Sequence, residues 1–387
     1  MTSQSGSHQV ARVRNAIAGA LLFAISTGIA AAERIIATDD YKVRVVTIAS
    51  GLDTPWGMAF MDGGRMLVTE KAGRLRVIEG GKLLPQPVAG LPPVRVQGQG
   101  GLLDVSLHPD FARNQFIYWS YAGGSNSSEV GTEVARGRLS GDAAAGYKLE
   151  NVEVIFRQQP KASGGVHFGS RLVWDRTGNL FVTMGERGQM QEAQNLGKHL
   201  GKIVRLTDRG QVPADNPFAN KPGVLPEIFS YGHRNVQGAA LHPVTGELWA
   251  HEHGPQGGDE VNIIRAGRNY GWPVITYGAN YGTGTKIGEG TEKAGMEQPL
   301  WKWVPSIAPS GMAFYTGDKF PKWKGSLFAG ALAGQLIVRL TLDGNTIVRE
   351  ERIKGTGRTR DVRAGPDGFL YVLSEAEGAL LRFEPAQ

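Results

Sequence analysis

Short apolar runs separated by turn residues recur along the chain from Trp56 to Phe383. Each unit has one strand-like run, a turn rich in Asp, Gly or Pro, and a second strand-like run, often followed by a third. Helical periodicity is scarce, so the pattern predicts an all-β protein. The runs that open the units are Trp56–Phe60, Gly101–Leu107, Ser170–Trp174, Gly238–Leu241, Gly311–Tyr315 and Asp361–Ala364.

Six such units, spaced roughly 45 to 80 residues apart, favour a six-bladed β-propeller. The blades of a propeller leave only short, protected strand edges, which suits short strands joined by turns. A β-sandwich with insertions is the alternative, but the repeated turn-then-strand signature favours the propeller. No Pro- or Ser-rich linker separates the units, so we expect one domain over residues 33–387.

The N-terminal segment differs from the rest of the chain and predicts a secretory signal peptide over residues 1–32. Arg12 and Arg14 precede the apolar run 16–31, and the alanines at 30–32 form a small-residue cleavage site. Gly and Ser interrupt this run, which favours a removed signal over a stable membrane span. We therefore expect a periplasmic or secreted protein.

Composition excludes some classes of site and partner. The chain of 387 residues contains no cysteine, so thiolate zinc sites and iron–sulfur clusters are excluded. Formal net charge is +6, but both signs are interspersed and no Lys/Arg run occurs. A nucleic-acid-binding protein usually shows a concentrated basic stripe, so no nucleic-acid partner is expected.

The densest group of chemically active residues lies between Tyr231 and Pro273. Leu248–Ala250 and Val261–Ile264 read as strands, which puts residues 233–237 on a turn and residues 251–260 on a loop. Loops at one end of a sheet assembly can converge, and function usually lies there. An ordinary polar loop is the alternative for any single residue.

Outside this region, four further polar residues have a plausible chemistry. His167 is flanked by glycines and is either a general base or a turn histidine bonded to backbone. Gln99 lies in a Gly-rich loop that lacks the GK[ST] of a phosphate-binding loop. Arg358 and Arg360 alternate along a strand, so both can face one side and bind a carboxylate, or they form a solvated strand edge.

The loop after His253 offers oxygen ligands for a metal ion. The carbonyls of Gly254 and Pro255 and the carboxylates of Asp259 and Glu260 are hard donors, which suit calcium better than zinc. The sequence His251-Glu252-His253 is not the helical HExxH zinc motif.

Taken together, these motifs resemble the soluble quinoprotein glucose dehydrogenases, and most closely the aldose sugar dehydrogenase branch of the glucose/sorbosone dehydrogenase family. The matches follow the family's order and cover nearly all of the chain after residue 32. They are GQGGLLDVSLHPDF (98–111), HFGSRLV (167–173), GKIVRL (201–206), GHRNVQG (232–238), EHGPQGGDEVN (252–262), NYGWP (269–273), PSIAPSGM (305–312) and RTRDVRAGPDG (358–368).

The resemblance implies a six-bladed propeller that binds pyrroloquinoline quinone (PQQ) and calcium, and oxidises the anomeric carbon of an aldose to the lactone. It implies that His167 is the base and that Gln99 and Arg234 lie near the substrate and the quinone carbonyls. Cofactor-binding positions are Asn235, Arg358, Arg360 and His253, which stands where the glucose enzymes have a glutamine. Calcium positions are the Gly254 and Pro255 carbonyls with Asp259 nearby, and, for a second ion, Glu260 with the Tyr270 carbonyl.

Two other functions remain open on the sequence. Six-bladed propellers also include calcium-dependent hydrolases such as lactonases, and some propellers only bind partners. The implied partner is a small aldose, with an electron acceptor that the sequence does not identify. The protein is expected to be a monomer or a homodimer.

Overall fold

The computed structural model describes residues 34–124 and 128–386. The expected signal peptide, residues 1–32, lies outside the described residues. From Arg34 onward the chain forms one compact unit. The described residues build six antiparallel sheets, five with four strands and one with five. The first strands of successive sheets contact one another in a closed ring, which confirms the six-bladed β-propeller.

The blades follow one another along the chain. Blade 1 has β3 Pro55–Phe60, β4 Met66–Glu70, β5 Arg74–Glu79 and β6 Lys82–Leu83. Blade 2 has β7 Leu102–Leu107, β8 Phe116–Gly123, β9 Gly131–Asp142 and β10 Gly146–Arg157. Blade 3 has β11 Leu172–Trp174, β12 Leu180–Thr183, β13 Lys202–Leu206 and β14 Ile228–Tyr231. Blade 4 has β15 Val236–Leu241, β16 Leu248–Glu252, β17 Asp259–Ile264 and β18 Trp301–Trp303.

Blade 5 has β19 Pro309–Phe314, β20 Leu327–Ala331, β21 Leu336–Asp343 and β22 Thr346–Lys354. Blade 6 combines β23 Thr359–Ala364, β24 Leu370–Ser374 and β25 Ala379–Pro385 with β1 Ile35–Ala37 and β2 Lys42–Ser50. Helical structure within the described ranges is confined to α1, Phe111–Asn114, and three 3₁₀ turns, Asp62–Gly64, Met190–Gln194 and Pro321–Trp323. None of these helices has the length and apolar character needed to cross a lipid bilayer.

Blade 6 closes the ring with strands from both ends of the chain. β2 pairs antiparallel with β25 from Val43 opposite Pro385 to Ser50 opposite Ala379. The repeat did not predict this strand, because the six recognised units begin only at Trp56. Pairing β2 with the last strand, β25, holds the ring together through backbone hydrogen bonds, so the propeller has no open seam.

The six predicted opening runs overlap the innermost strands of the six blades. Trp56–Phe60, for example, corresponds to β3 and Asp361–Ala364 to β23. The long hairpin of β9 and β10 was not predicted. Buried and exposed residues are mixed along β10, so it lacks a continuous apolar run that sequence reading can detect.

Apolar side chains fill the space between neighbouring blades, and glycines let the innermost strands approach closely. A Cβ on Gly57 would lie 2.6 Å from an Asp104 carboxylate oxygen, and one on Gly311 would lie 1.9 Å from an Asp361 oxygen. Any side chain at these two positions would force neighbouring blades apart. These contacts bring two buried carboxylates to the propeller axis.

Arg171 neutralises the two carboxylates at the axis. Its Nη1 lies 3.0 Å from Asp104 Oδ1 and 3.3 Å from Asp361 Oδ1, and all three side chains are buried. Arg363 also contacts Asp104 and Asp361. This central ion cluster joins blades 2, 3 and 6, because each charged group pairs with an opposite charge on another blade.

Candidate active site

The N-terminal ends of the six innermost strands meet around one cavity of about 320 Å³. Each blade contributes at least one residue, because the chain enters each innermost strand at this end. The entry residues are Trp56, Gln99, Gly169, Asn235, Ala308 and Arg358, and the rest of the wall includes Lys71, Leu103, Phe168, Gln237, His253, Leu332, Ala333, Arg360 and Glu375. Most of the residues predicted to bind the cofactor therefore lie together.

His167 lies next to this wall, directly before Phe168 and Gly169. Its backbone has φ +53°, and its N–H donates to the Gln99 side-chain oxygen at 2.8 Å. Its Nδ1 lies 2.7 Å from Glu186 Oε2, and its side chain is 14 % exposed. Because a carboxylate accepts, Nδ1 carries the hydrogen and Nε2 is left with a free lone pair. This tautomer can accept a proton from a bound hydroxyl.

Glu186, the carboxylate that contacts the candidate base His167, was not predicted from the sequence. It is buried, and its Oε2 also accepts the Gly188 N–H at 2.7 Å. The carboxylate partner of His167 therefore comes from the loop after β12, not from the neighbouring position 166, which is valine. An acidic residue directly after a predicted strand was the available signal, but which histidine it contacts depends on the fold.

Arg187 holds the loop that carries His167. Its guanidinium donates to the carbonyls of Val130, Gly164 and Val166, the last at 2.8 Å, and lies 3.7 Å from the centre of the Phe168 ring. Burial lowers the pKa of Arg187 to about 10, so it remains a cation at neutral pH. Bonding three carbonyls with one rigid group restricts the positions that the loop can take.

Arg358 and Arg360 contact the same carboxylate, Glu375, at 2.9 and 2.8 Å. Arg360 is 12 % exposed and Arg358 is 42 % exposed. Burial alone would raise the pKa of Glu375, but Arg360 and Arg358 outweigh it and hold that pKa below its ordinary value. Two guanidiniums with one counter-ion leave a positive charge for an anionic ligand.

Asn235, Gln237 and His253 supply neutral polar groups to the wall. Asn235 Oδ1 accepts the Gly169 N–H at 3.1 Å, while its Nδ2 is buried and has no acceptor among the described residues. His253 Nε2 donates to the Pro309 carbonyl at 2.6 Å. Burial, and to a lesser degree the Arg234 charge, lower the pKa of His253 to about 3, so this imidazole is neutral.

Arg234 faces a smaller neighbouring cavity, which also contacts Glu252, Gly254, Glu260 and Tyr270. Its Nη1 donates to the carbonyls of His253 at 3.1 Å and Gly254 at 2.8 Å. Its backbone N–H donates to Glu252, whose other oxygen accepts from His233 at 2.8 Å. His253 lines both cavities, so the Arg234 guanidinium lies next to the cavity lined by Gln99 and Asn235, with which it was expected to share the cofactor site.

The carbonyls expected to bind calcium each accept one hydrogen bond in this structure. Gly254 O accepts from Arg234 and Pro255 O accepts from Gly257 N at 3.0 Å. A carbonyl has two lone pairs, so one remains on each oxygen for a cation. On Gly254 that lone pair belongs to the oxygen that the Arg234 guanidinium already contacts, so a calcium ion there would lie beside a second cation.

Asp259 lies beside the expected calcium position, because it accepts a hydrogen bond from Gly254 N, but its contacts do not favour direct binding of a metal ion. Its two oxygens accept from Gly254 N, Ser306 Oγ, Ile307 N and Ala308 N at 2.8 to 3.0 Å. These donors use the lone pairs that a metal would need. Asp259 instead ties the loop after His253 to the loop that leads into β19.

Glu260 and Tyr270, expected to bind a second calcium ion, both line the smaller cavity. Glu260 lies directly opposite Glu252 on the neighbouring strand. Burial, and then the nearby Glu252 charge, raise the pKa of Glu260 to about 8. The Tyr270 hydroxyl donates to Ile263 O at 2.6 Å, and its ring stacks on His233. Two adjacent carboxylates without a cation favour binding of either a proton or a metal ion.

The chemistry of the larger cavity fits PQQ, which is an aromatic tricarboxylate. Cationic Arg358, Arg360 and Lys71 suit its carboxylates, and the unpaired Nδ2 of Asn235 suits an acceptor oxygen. The described residues contain no cluster of three or more His, Asp or Glu side chains that could hold a metal. A calcium site here would therefore depend on backbone carbonyls and on the ligand's own oxygens.

Comparisons with known proteins point to the same chemistry. The family model for glucose/sorbosone dehydrogenase matches residues 52–382. The chain is 48 % identical over 350 residues to the aldose sugar dehydrogenase YliI of Escherichia coli, covering 89 % of this chain and 93 % of that protein. The apo-form structure of the soluble E. coli aldose sugar dehydrogenase has a TM-score of 0.85 at 48 % identity and covers 89 % of this chain and all of that one.

A more distant solved structure contains the cofactor. It is the PQQ-bound form of an aldose sugar dehydrogenase from Streptomyces coelicolor, with a TM-score of 0.69 and 28 % identity. The match covers 90 % of this chain and 99 % of that one. The resemblance found in the sequence is thus confirmed at the level of the family.

Proposed function

The chain belongs to the glucose/sorbosone dehydrogenase family, and from this premise we propose that it is a PQQ-dependent aldose sugar dehydrogenase. The reaction would convert the anomeric C–OH of an aldose into the lactone. The C1–H bond would break as a hydride leaves to the quinone, and the hydroxyl proton would leave to a base. The observation that carries the proposal is the His167–Glu186 pair beside a cavity rich in cations.

His167 would be the base. Glu186 fixes the Nδ1–H tautomer and orients the ring, so that Nε2 accepts the anomeric hydroxyl proton. After proton transfer, the same carboxylate would stabilise the imidazolium. Gln99 would position the base through its bond to the His167 backbone, and its side chain also lines the cavity where the sugar would bind.

Arg358, Arg360, Asn235 and His253 would hold the cofactor. Bound PQQ would supply a two-electron acceptor, which this chain's own side chains cannot provide. The guanidiniums would pair with carboxylates, and Asn235 Nδ2 would donate to an acceptor oxygen. Arg234 would donate to a quinone carbonyl through guanidinium N–H groups other than Nη1, which contacts the His253 and Gly254 carbonyls in this structure.

Calcium would bind through the carbonyls of Gly254 and Pro255 and through the cofactor. A second calcium ion would bind Glu260 and the carbonyl of Tyr270, which lie beside the smaller cavity. The pairing of Glu260 with Glu252 supports that second position, because a divalent cation would relieve the repulsion between the two carboxylates.

Reconstitution tests the proposed reaction. Purified protein incubated with PQQ and calcium should reduce an artificial dye in the presence of aldoses, and protein without PQQ should not. A panel of aldoses would identify the preferred sugar. Hydrolysis of lactones or phosphotriesters that needs calcium but not PQQ would instead support the hydrolase alternative. Absence of both activities, and of quinone absorbance after reconstitution, would support a binding propeller.

Chelation tests the proposed calcium sites. Thorough removal of calcium should prevent formation of active holoenzyme, because carbonyl ligands and an anionic cofactor need a cation between them. Addition of calcium should restore activity. Full reconstitution of chelated protein with PQQ alone would contradict the role of Gly254 and Pro255.

We also propose that the protein is exported and acts in the periplasm or outside the cell, on the basis of residues 1–32. N-terminal sequencing of exported material should find a mature chain beginning near Glu33. Exported protein that still begins at Met1 would contradict this proposal.

A further inference from the structure

Three cationic side chains line the larger cavity, and one of them differs from the others in its surroundings. Arg358 and Arg360 share the carboxylate of Glu375, so much of their charge is neutralised. Lys71 forms no ion pair within the described ranges, and its Nζ donates to the neutral carbonyl of Gly98 at 3.1 Å. Lys71 is therefore the cation best able to accept a new anionic partner.

The backbone fixes the position of Lys71 at the cavity wall. Lys71 directly follows β4, its N–H donates to Thr54 O, and its carbonyl accepts from Leu102 N, both at 3.0 Å. A Cβ on Gly101 would lie 2.1 Å from the Lys71 carbonyl oxygen and 2.6 Å from its Cγ. The absence of a side chain at Gly101 thus leaves space for the aliphatic part of Lys71.

The loop that Lys71 contacts is also the loop that contacts the base. Gly98 precedes Gln99, whose N–H donates to Gly165 O at 2.7 Å and whose side chain accepts from His167 N. The part of the cavity wall formed by Leu332 and Ala333 carries no charge. Among the described residues, the positive charge of the cavity wall therefore comes from Lys71 of blade 1 and from Arg358 and Arg360 of blade 6.

We propose that Lys71 binds a carboxylate of PQQ and so contributes to cofactor affinity. This inference rests on the proposed function. A carboxylate would replace the Gly98 carbonyl as acceptor, and a charge-assisted hydrogen bond is stronger than a neutral one. The role is one of binding, because the Lys71 ammonium has no part in the proton transfer assigned to His167.

The test compares cofactor binding by the full-length apoprotein and three variants. Lys71→Met removes the charge but keeps much of the length, and Lys71→Arg keeps the charge. Lys82→Met is the matched control, because Lys82 is exposed on β6 of the same blade and its loss changes net charge equally. Equilibrium dialysis with calcium present would measure the Kd for PQQ and for its trimethyl ester, which retains the quinone but lacks the three negative charges.

Lys71→Met should weaken PQQ binding about 10- to 100-fold, a typical effect of losing one charge-assisted hydrogen bond. Lys71→Arg should stay within about 5-fold of wild type, since the charge remains. Lys82→Met should match wild type. Affinity for the trimethyl ester should be the same in wild type and Lys71→Met.

Unchanged PQQ affinity in Lys71→Met would overturn the inference, and so would an equal loss of affinity for the trimethyl ester. These outcomes differ from failure of the proposed function. If the proposed function were wrong, the wild-type apoprotein itself would bind no PQQ, and this result would be visible without any variant.

Discussion

At the scale of single residues, the groups proposed for proton transfer and for cofactor binding are separate. His167 and Glu186 form a pair with one available lone pair, at Nε2. Arg358 and Arg360 form a separate group around Glu375. Because the two groups contact different parts of the wall, substitutions in them should affect different steps.

His167→Gln should leave PQQ binding intact and slow the chemical step about 10²- to 10⁴-fold, the usual effect of losing a general base. The physical reason is that the cations and Asn235 are unchanged. Titration with PQQ, followed by sugar-driven reduction in a single turnover, measures the two properties separately. If this variant reduced PQQ at the wild-type rate, His167 would not be the base. It would then be a turn histidine bonded to backbone.

Arg358→Ala should show the opposite pattern. It should weaken PQQ binding by about 1.5–3 kcal/mol, because a charge-assisted hydrogen bond is lost. Once saturated with cofactor, the variant should reduce PQQ at close to the wild-type rate. A saturated variant with a greatly slowed chemical step would show that Arg358 also contributes to catalysis.

At the scale of single elements, the strands of blade 4 contain a buried titratable group that the proposed mechanism does not use. His251 lies on β16 and is fully buried. A Cβ on Gly238 of β15 would lie 2.2 Å from its Nε2, so the imidazole fills the space beside a glycine. Burial, and then the charge of Arg171, lower the pKa of His251 from 6.5 to about 3.

This pKa predicts a loss of stability in acid. Between pH 6.5 and pH 3, the unfolded chain binds a proton at this histidine and the folded chain does not. The free energy of unfolding should therefore fall as pH falls, by about 1.4 kcal/mol per pH unit from this group. Urea unfolding at several pH values measures this dependence. The free energy of unfolding should change less with pH in His251→Met than in the wild type. If the free energy of unfolding changed equally with pH in the variant and in the wild type, His251 would be protonated in the folded protein.

At the scale of the whole molecule, the ring is held at its axis and at its seam. The central ion cluster joins strands of three blades, and β2 pairs with β25 to close blade 6. Both connections join residues that are far apart in the sequence: the ion cluster links three blades, and the β2–β25 pairing completes blade 6 from the two ends of the chain. Both also lie outside the wall of the larger cavity.

Arg171→Met should destabilise the protein by about 3–5 kcal/mol, because it leaves two buried carboxylates with fewer partners. The double variant Arg171→Met with Asp104→Asn should be less destabilised than the sum of the two single variants, since one unpaired charge is removed. Urea unfolding of the four proteins measures this coupling. Strictly additive effects would show that Arg171 and Asp104 do not interact.

The sequence by itself determined the fold class and much of the site. Apolar runs of strand length and turn chemistry are local properties, so the repeat identified the innermost strand of every blade. The predicted residues Gln99, Asn235, His253, Arg358 and Arg360 all line one cavity, because each lies at or near an entry to an innermost strand or at a neighbouring strand end.

Only the tertiary structure decided which of these groups contact one another. Glu186 reaches His167, Glu375 joins the two arginines, and Lys71 reaches the wall from blade 1, although no local pattern relates these residues. It also placed Arg234 on the smaller cavity beside the larger one, and it gave the Asp259 oxygens donors from backbone N–H groups and from the Ser306 hydroxyl. The reason is physical: a side chain's partner is set by the position of neighbouring blades, which bring together residues far apart in the sequence.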